Sequence, residues 1–316
     1  MDSEIRHDWS IEEVKAIYNL PLLELVHRAQ TQHRLHHDPT KVQRCTLLSV
    51  KTGACPEDCR YCSQSSRWNT GLEKESLLAV DEVMKAAKRA KDQGASRFCM
   101  GAAWRQAKKG KAFDEVLEMV RGVASLDMEV CVTLGMLDEE QAAQLKEAGL
   151  TAYNHNLDTS REFYPEVITS RTYDDRLTTI KNVQEAGISV CCGGILGLGE
   201  TPDDRVSLIA TLATMKPHPE SVPINKLVKI DGTPLEDAED LDIFELVRTI
   251  ATVRLLIPKT RVRLSAGRLS LSKEGQAMCF LAGANSIFFG DSLLTTPNPE
   301  VSQDVRFLEE LGLVTA

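Results

Sequence analysis

Residues 129–158, EVCVTLGMLDEEQAAQLKEAGLTAYNHNLD, carry two stretches of strand character, 129–133 and 151–157, on either side of a segment with helical periodicity at 138–147. The helical part begins at Asp138 and ends close to Gly149, residue types that start and stop helices. The same alternation runs outward in both directions. Strand candidates fall at 45–51, 96–102, 129–133, 151–157, 188–193, 221–228, 261–266 and 285–289. Helical segments lie between them at 81–93, 112–125, 138–147, 173–186, 204–215, 241–256 and 273–282. Eight strands separated by seven helices predict an α/β fold, a (β/α)8 TIM-type barrel, with its active site at the C-terminal ends of the strands. Upstream, Ser10 and Glu13 form a capping-box pattern ahead of Val14, Ile17 and Tyr18, and Leu22, Leu25, Val26 and Ala29 make a second apolar face. We therefore divide the chain into an N-terminal helical extension, 1–40, and a barrel, 41–316. The HRLHH run at 33–37 reads as the polar end of a helix.

With 316 residues, 42% of them hydrophobic, the chain can bury one large core. Its 37 basic residues are outnumbered by 46 acidic ones, a net charge of −9, and they are dispersed, so no footprint for nucleic acid or an anionic membrane is visible. No apolar run approaches the roughly 18 residues of a membrane span, and the opening MDSEIRHDWS lacks a signal-peptide succession. A cytoplasmic enzyme with a small-molecule substrate is the expectation. Nine cysteines in such a chain argue for metal binding or catalysis rather than disulfides.

Three of those cysteines, Cys55, Cys59 and Cys62, lie within CPEDCRYC, where a loop should follow the first barrel strand. Thiolates are soft ligands for iron–sulfur clusters or zinc, and three of them leave one metal corner open to a substrate or cofactor. On spacing alone, a zinc knuckle completed by a distant residue is the other reading. The C-x3-C-x2-C pattern resembles that of radical S-adenosylmethionine (SAM) enzymes. The resemblance implies a [4Fe–4S] cluster that cleaves SAM, with Tyr61 against the adenine.

Cys99, Cys131 and Cys191 fall singly on three strand candidates, and each taken alone reads as a small buried hydrophobe. Strand alternation, however, puts Arg97 with Cys99, Cys131 with Thr133, Asn154 with Asn156 and Asp158, and Arg263 with Ser265. A barrel interior lined by thiols and polar groups needs a partner such as a cluster or ligand. The segments RFCMGAAW, EVCVTLGML, SVCCGGILGLGE and VRLSAGR resemble the biotin synthase family, and the likeness runs from about residue 40 to about residue 300.

That resemblance implies a [2Fe–2S] cluster held by Cys99, Cys131, Cys191 and Arg263. Period two cannot choose between Cys191 and Cys192; the family pattern selects Cys191 and leaves Cys45, Cys192 and Cys279 as thiols without a role. The guanidinium is protonated and has no free lone pair, so Arg263 rests on the resemblance alone. The family comparison also implies SAM contacts from Asn156 and Asp158 to the ribose and from Arg176 to the carboxylate. Ala102 in GAAW and Ile195 in GGILGLGE would supply backbone around the methionine and adenine. Arg97, Asn154, Asn156, Asn225, Thr295 and Thr296 would meet dethiobiotin. The implied reaction is sulfur insertion into dethiobiotin to form biotin, with a flavodoxin- or ferredoxin-like electron donor, service by iron–sulfur assembly machinery, and a homodimeric state. The alternatives are another radical SAM barrel enzyme acting on a different molecule, or a non-catalytic iron–sulfur or zinc protein.

Overall fold

The computed structural model describes residues 5–316. Nine strands build the barrel: β1 (Lys41–Lys51), β2 (Arg97–Ala102), β3 (Glu129–Thr133), β4 (Ala152–Asn154), β5 (Ser189–Cys191), β6 (Gly194–Leu196), β7 (Ser221–Lys226), β8 (Arg261–Leu264) and β9 (Ser286–Phe288). They pair in parallel throughout, and β9 closes on β1 through Gln43, Arg44 and Cys45. β5 and β6 share one position in the ring, so eight staves stand where eight were expected. The helix between β3 and β4, Glu139–Glu147, starts at a capping box in which Asp138 accepts from the Gln141 N–H at 2.8 Å and Gln141 accepts from the Asp138 N–H at 3.1 Å. Two backbone donors at the helix start are thereby satisfied.

Two strand candidates differ from what their sequence suggests. The segment 151–157 is strand only over Ala152–Asn154, because the chain leaves the ladder and reaches a left-handed conformation at Asp158, φ 68°. After β5, the glycine-rich stretch, which lies outside the eight strand candidates, resumes pairing as β6. Gly193 permits the break: a Cβ there would stand 1.9 Å from the Pro223 carbonyl oxygen, so the two backbones pass closer than any side chain allows. Gly193→Ala is expected to cost about 3 kcal/mol or more, since the clash is with backbone; urea denaturation checks this, and an unchanged midpoint would refute it.

Beyond the ring, β10 (Ser292–Leu293) and β11 (Thr296–Pro297) form a small antiparallel hairpin, and β12 (Val314–Thr315) adds to the start of β1. At the other terminus, α1 (Ile11–Tyr18) carries the expected capping box, and α2 (Leu22–His36) follows. The Tyr18 hydroxyl donates to Glu245 at 2.9 Å and Arg248 donates to the Leu20 carbonyl at 2.7 Å, tying the pair to the helix Ile243–Leu256.

The HRLHH run closes α2 as expected, but His33 within it is not polar surface: it is 2% exposed, and neither ring nitrogen finds a partner among the described residues. Burial lowers its pKa from 6.5 to about 3, and burial beside Arg254 lowers that of His37 to about 4. The folded state thus keeps both neutral while the unfolded chain takes up protons below about pH 6.5. Their contribution is complete above that pH and is lost as pH falls toward 3. Thermal melts of His33→Leu should decline less steeply across this window than those of the parent.

Candidate active site

The loop after β1 is held by its backbone rather than by its thiols. Gly53 and Ala54 turn it with φ of 70° and 55°, the Cys55 N–H donates to the Gln64 carbonyl at 2.9 Å, and the Ser66 N–H returns to the Cys55 carbonyl at 2.7 Å. The Trp68 indole donates to the Cys59 carbonyl at 2.9 Å, and Asp58 accepts from the Thr169 and Ser170 N–H groups, both at 3.0 Å. Cys55, Cys59 and Cys62 consequently line one cavity of about 330 Å³ at the C-terminal end of the barrel. Burial pushes the thiol of Cys59 up to about 12 and that of Cys62 to about 11, and raises Cys55 as well. Such thiols stay protonated until a metal takes the proton's place.

Deeper in the barrel, Cys45, Cys99, Cys131 and Cys191 form a buried group apart from the main apolar core, packed with Ala152, Leu47 and Phe288. Register explains the grouping: Cys99 pairs with Cys131, Leu47 with Cys99, and Asn154 with Cys191. The thiols interact in a row, Cys45 with Cys99, Cys99 with Cys131 and Cys131 with Cys191. Arg263 lies against both ends of the row, Cys45 and Cys191. The hydrogen bond from Cys131, opposed by burial and aided by Arg263, Arg97 and Asn154, lowers the thiol of Cys191 to about 6. Cys191 is the lumen-facing member of its pair, whereas Cys192 packs in the main core. Cys45, left without a role by the family pattern, is fully buried and belongs to the lumen row.

Arg263, 1% exposed, donates from Nε to Ser286 Oγ at 2.9 Å and lies 3.5 Å from Cys191 Sγ and 3.3 Å from Cys45 Sγ. Burial opposes its charge, but the two sulfurs raise its pKa above the ordinary value. Arg97 differs from its expected place beside substrate. It lies outside the cavity lining, with its guanidinium paired to Glu129 at 2.8 Å and Glu220 at 2.9 Å, because alternation sets its face but its position early in β2 sets its height below the thiols.

Above the lumen, Asp158 joins two expected residues. Its Oδ2 accepts from the Tyr61 hydroxyl at 2.9 Å and from Arg176 Nη2. Arg176 also donates to the Tyr164 hydroxyl at 2.7 Å and to the Asn156 carbonyl, so its three nitrogens are engaged by protein. The Asn156 side-chain oxygen accepts from Gly193 N–H at 3.1 Å and from Asn154 at 3.2 Å, leaving its amide nitrogen for a ligand. Asn154 is braced by Thr133 at 3.1 Å and reaches Cys191 Sγ at 3.3 Å. Asn225 bridges the Gly194 carbonyl and the Ala266 N–H while facing the same cavity. Ala102 and Ile195 line it, as do Thr295, whose hydroxyl meets Ser63 at 2.8 Å, and Thr296. Glu57 and Arg171, 3.9 Å apart, line it too and were not anticipated. Glu57 lies inside the cysteine motif, a placement that could have singled it out.

Two buried polar atoms beside the thiol row, Arg97 Nη1 and Ser221 Oγ, have no partner among the described residues. Thiols, cations and orphaned donors together fit an anionic sulfur-rich group. Among the described residues, no three His, Cys, Asp or Glu side chains converge as a site for one metal ion. Iron–sulfur clusters spread their ligands over several irons.

A closed parallel barrel bearing three cysteines over a cavity in its first βα loop places the chain in the radical SAM class. A profile of the Radical SAM superfamily matches residues 49–212, and one for the Biotin and Thiamin Synthesis associated domain matches residues 223–314. Methylornithine synthase (PylB) shares the fold with a TM-score of 0.80 at 19% identity, covering 97% of this chain and 94% of that one. A HydG maturase of the [FeFe]-hydrogenase does so at 0.82 and 17%, covering 97% and 72%. Biotin synthase of Myxococcus xanthus is 59% identical over 310 residues, 98% of this chain and 90% of its own. That of Hahella chejuensis is 60% identical over 313 residues, 99% and 88%. The chain belongs to the biotin synthase family. No helix among the described residues is long and apolar enough to cross a membrane.

Proposed function

We propose that this chain converts dethiobiotin to biotin by radical SAM-dependent sulfur insertion. The observation that carries the reading is one cavity reaching both thiol groups, Cys55, Cys59 and Cys62 at its mouth and Cys99, Cys131 and Arg263 beneath. When bound, a [4Fe–4S] group at the mouth supplies the electron that cleaves SAM to a 5′-deoxyadenosyl radical, and a [2Fe–2S] group in the lumen supplies sulfur. The lumen ligands are Cys99, Cys131, Cys191 and Arg263.

The protein's own work is positioning and exclusion. Asp158 and Asn156 present an acceptor and a donor to the ribose, Tyr61 lies beside them for the adenine, and Ala102 and Ile195 frame the nucleoside. Arg176 holds Asp158 in place and offers positive charge to the SAM carboxylate. Asn154 and Asn225 offer amides to the cyclic urea of dethiobiotin, and Thr295 and Thr296, in the hairpin over the cavity, take its carboxylate tail. Arg97 acts from the barrel floor, compensating charge on the thiols. The barrel wall keeps solvent from a reactive carbon radical. Within the 1–40 extension, α1 and α2 brace the helical layer outside the site. We place the enzyme in the cytoplasm, where a flavodoxin- or ferredoxin-like donor and iron–sulfur assembly machinery serve it, as a homodimer.

The test is anaerobic incubation of reconstituted, reduced protein with SAM and dethiobiotin, following 5′-deoxyadenosine and biotin. The parent should form both, and a Cys99→Ala, Cys131→Ala variant should form no biotin. SAM cleavage without biotin in the fully reconstituted parent would sink the substrate assignment.

A further inference from the structure

Resting on the reading that the mouth cysteines hold a [4Fe–4S] group, we propose that Arg171 is the cation that compensates the charge of that group and so sets how readily it takes an electron. The segment before Arg171 is docked on the cysteine motif itself. The Arg60 N–H donates to the Val167 carbonyl at 3.1 Å, the Asp58 N–H donates to Ser170 Oγ at 3.1 Å, and the Ser170 N–H returns to the Asp58 carboxylate at 3.0 Å. Arg171 follows directly and lines the cavity with Cys55, Cys59 and Glu57. Its side chain is 9% exposed, and its Nε has no hydrogen-bond partner among the described residues.

The charge balance leaves this guanidinium in surplus. Arg176 is paired with Asp158, whereas Glu57, its side chain 3% exposed, is shared: Arg105 Nε stands 3.6 Å from Oε1 and Arg171 Nε 3.9 Å from Oε2. Oε2 also accepts from the Ser170 hydroxyl, and Oε1 is buried without a hydrogen-bond partner among the described residues. Two cations around one carboxylate leave one positive charge. Arg105 is 43% exposed, so water screens the outer cation while the buried one faces the cavity. A buried cation without an anion of its own is costly unless the missing anion belongs to the space beside it. Three thiolates around an iron–sulfur group supply that anion. One electron from an external donor adds a further negative charge there, with no bond or proton exchanged, and a fixed cation stabilises the reduced form more than the oxidised one.

The full chain is reconstituted anaerobically with iron and sulfide, without SAM, and titrated with dithionite and redox mediators while the paramagnetic resonance signal of the reduced [4Fe–4S] group is followed. Iron content and thermal melts verify loading and folding. Arg171→Met should make reduction about tenfold less favourable, a shift of about 59 mV to lower potential for one electron. Arg171→Lys, which keeps the charge, should recover most of that shift, and Glu57→Gln, which removes an anion, should shift the potential the opposite way. A pair that merely braces the loop predicts no such opposition, since breaking it from either side weakens the same contact. Arg171→Gln reads the same loss of charge should Arg171→Met fail to load. An unchanged potential, equal shifts in Arg171→Met and Arg171→Lys, or loss of iron from both uncharged variants overturns the proposal. An unchanged potential with SAM bound about tenfold more weakly in equilibrium dialysis also overturns it, and assigns Arg171 to the SAM carboxylate. No reduced [4Fe–4S] signal from the parent would instead overturn the mouth-cluster reading on which the proposal rests.

Discussion

Replacing any one of Cys55, Cys59 or Cys62 by alanine is expected to reduce 5′-deoxyadenosine formation by more than about 100-fold. Changing a residue that merely orients a metal ligand typically costs about 10–100-fold, and removing one of the three ligands proposed for the mouth should cost more. The loss should be chemical rather than structural. The loop is pinned by Cys55 N–H to Gln64, Trp68 to the Cys59 carbonyl and Asp58 to the Thr169 and Ser170 N–H groups, none of which uses a thiol. Melting temperatures should therefore stay near the parent value while iron falls by about four per chain. Nucleoside chromatography, iron analysis and thermal melts on the same samples check the prediction. A variant with normal nucleoside output would remove the mouth loop from the chemistry.

How legible each part was depends on the range of the interaction that makes it. The mouth thiols are local, three in eight residues, and needed no fold to be recognised. Cys99 and Cys131 needed strand position together with the family resemblance, and the structure adds that their strands pair in register and bring them side by side. Cys45 was passed over because the family pattern gave it no role, although a strand over 45–51 already sets it on the face of Leu47. β1 in fact starts at Lys41, which puts 43, 45 and 47 on the inward face. Arg97 shows the complementary limit: alternation gives the face of a strand but not the height along the barrel axis, and height places Arg97 with Glu129 and Glu220 on the floor. β6 escaped notice because glycines weaken strand character, while its pairing is secured by long-range contact with Ile224, Asn225 and Lys226. Asp158 was expected as the end of a strand and lies instead in a left-handed turn beyond β4.

That turn is where the second large effect is expected. Asp158 is 2% exposed and its Oδ2 is shared by Tyr61 and Arg176, itself 3% exposed. Burial works against the charge of Arg176, and the neighbouring carboxylate of Asp158 holds its pKa well above the usual value; because arginine keeps its proton in proteins, the cation persists when that partner is removed. Asp158→Ala should thus leave a buried, unpaired guanidinium and cost about 3–5 kcal/mol. The backbone adds to this, since φ of 68° suits aspartate better than alanine. Asp158→Asn separates the two roles. Asparagine tolerates the turn and keeps one acceptor oxygen, so it should lose less stability than alanine, yet it removes the anion that orders Tyr61 and Arg176 around a ribose. SAM affinity of the folded asparagine variant, measured by equilibrium dialysis, is expected to fall about tenfold, the loss of one charge-assisted hydrogen bond. If that variant is destabilised but binds SAM as tightly as the parent, Asp158 serves only to hold Arg176, and the ribose is recognised by Asn156 instead.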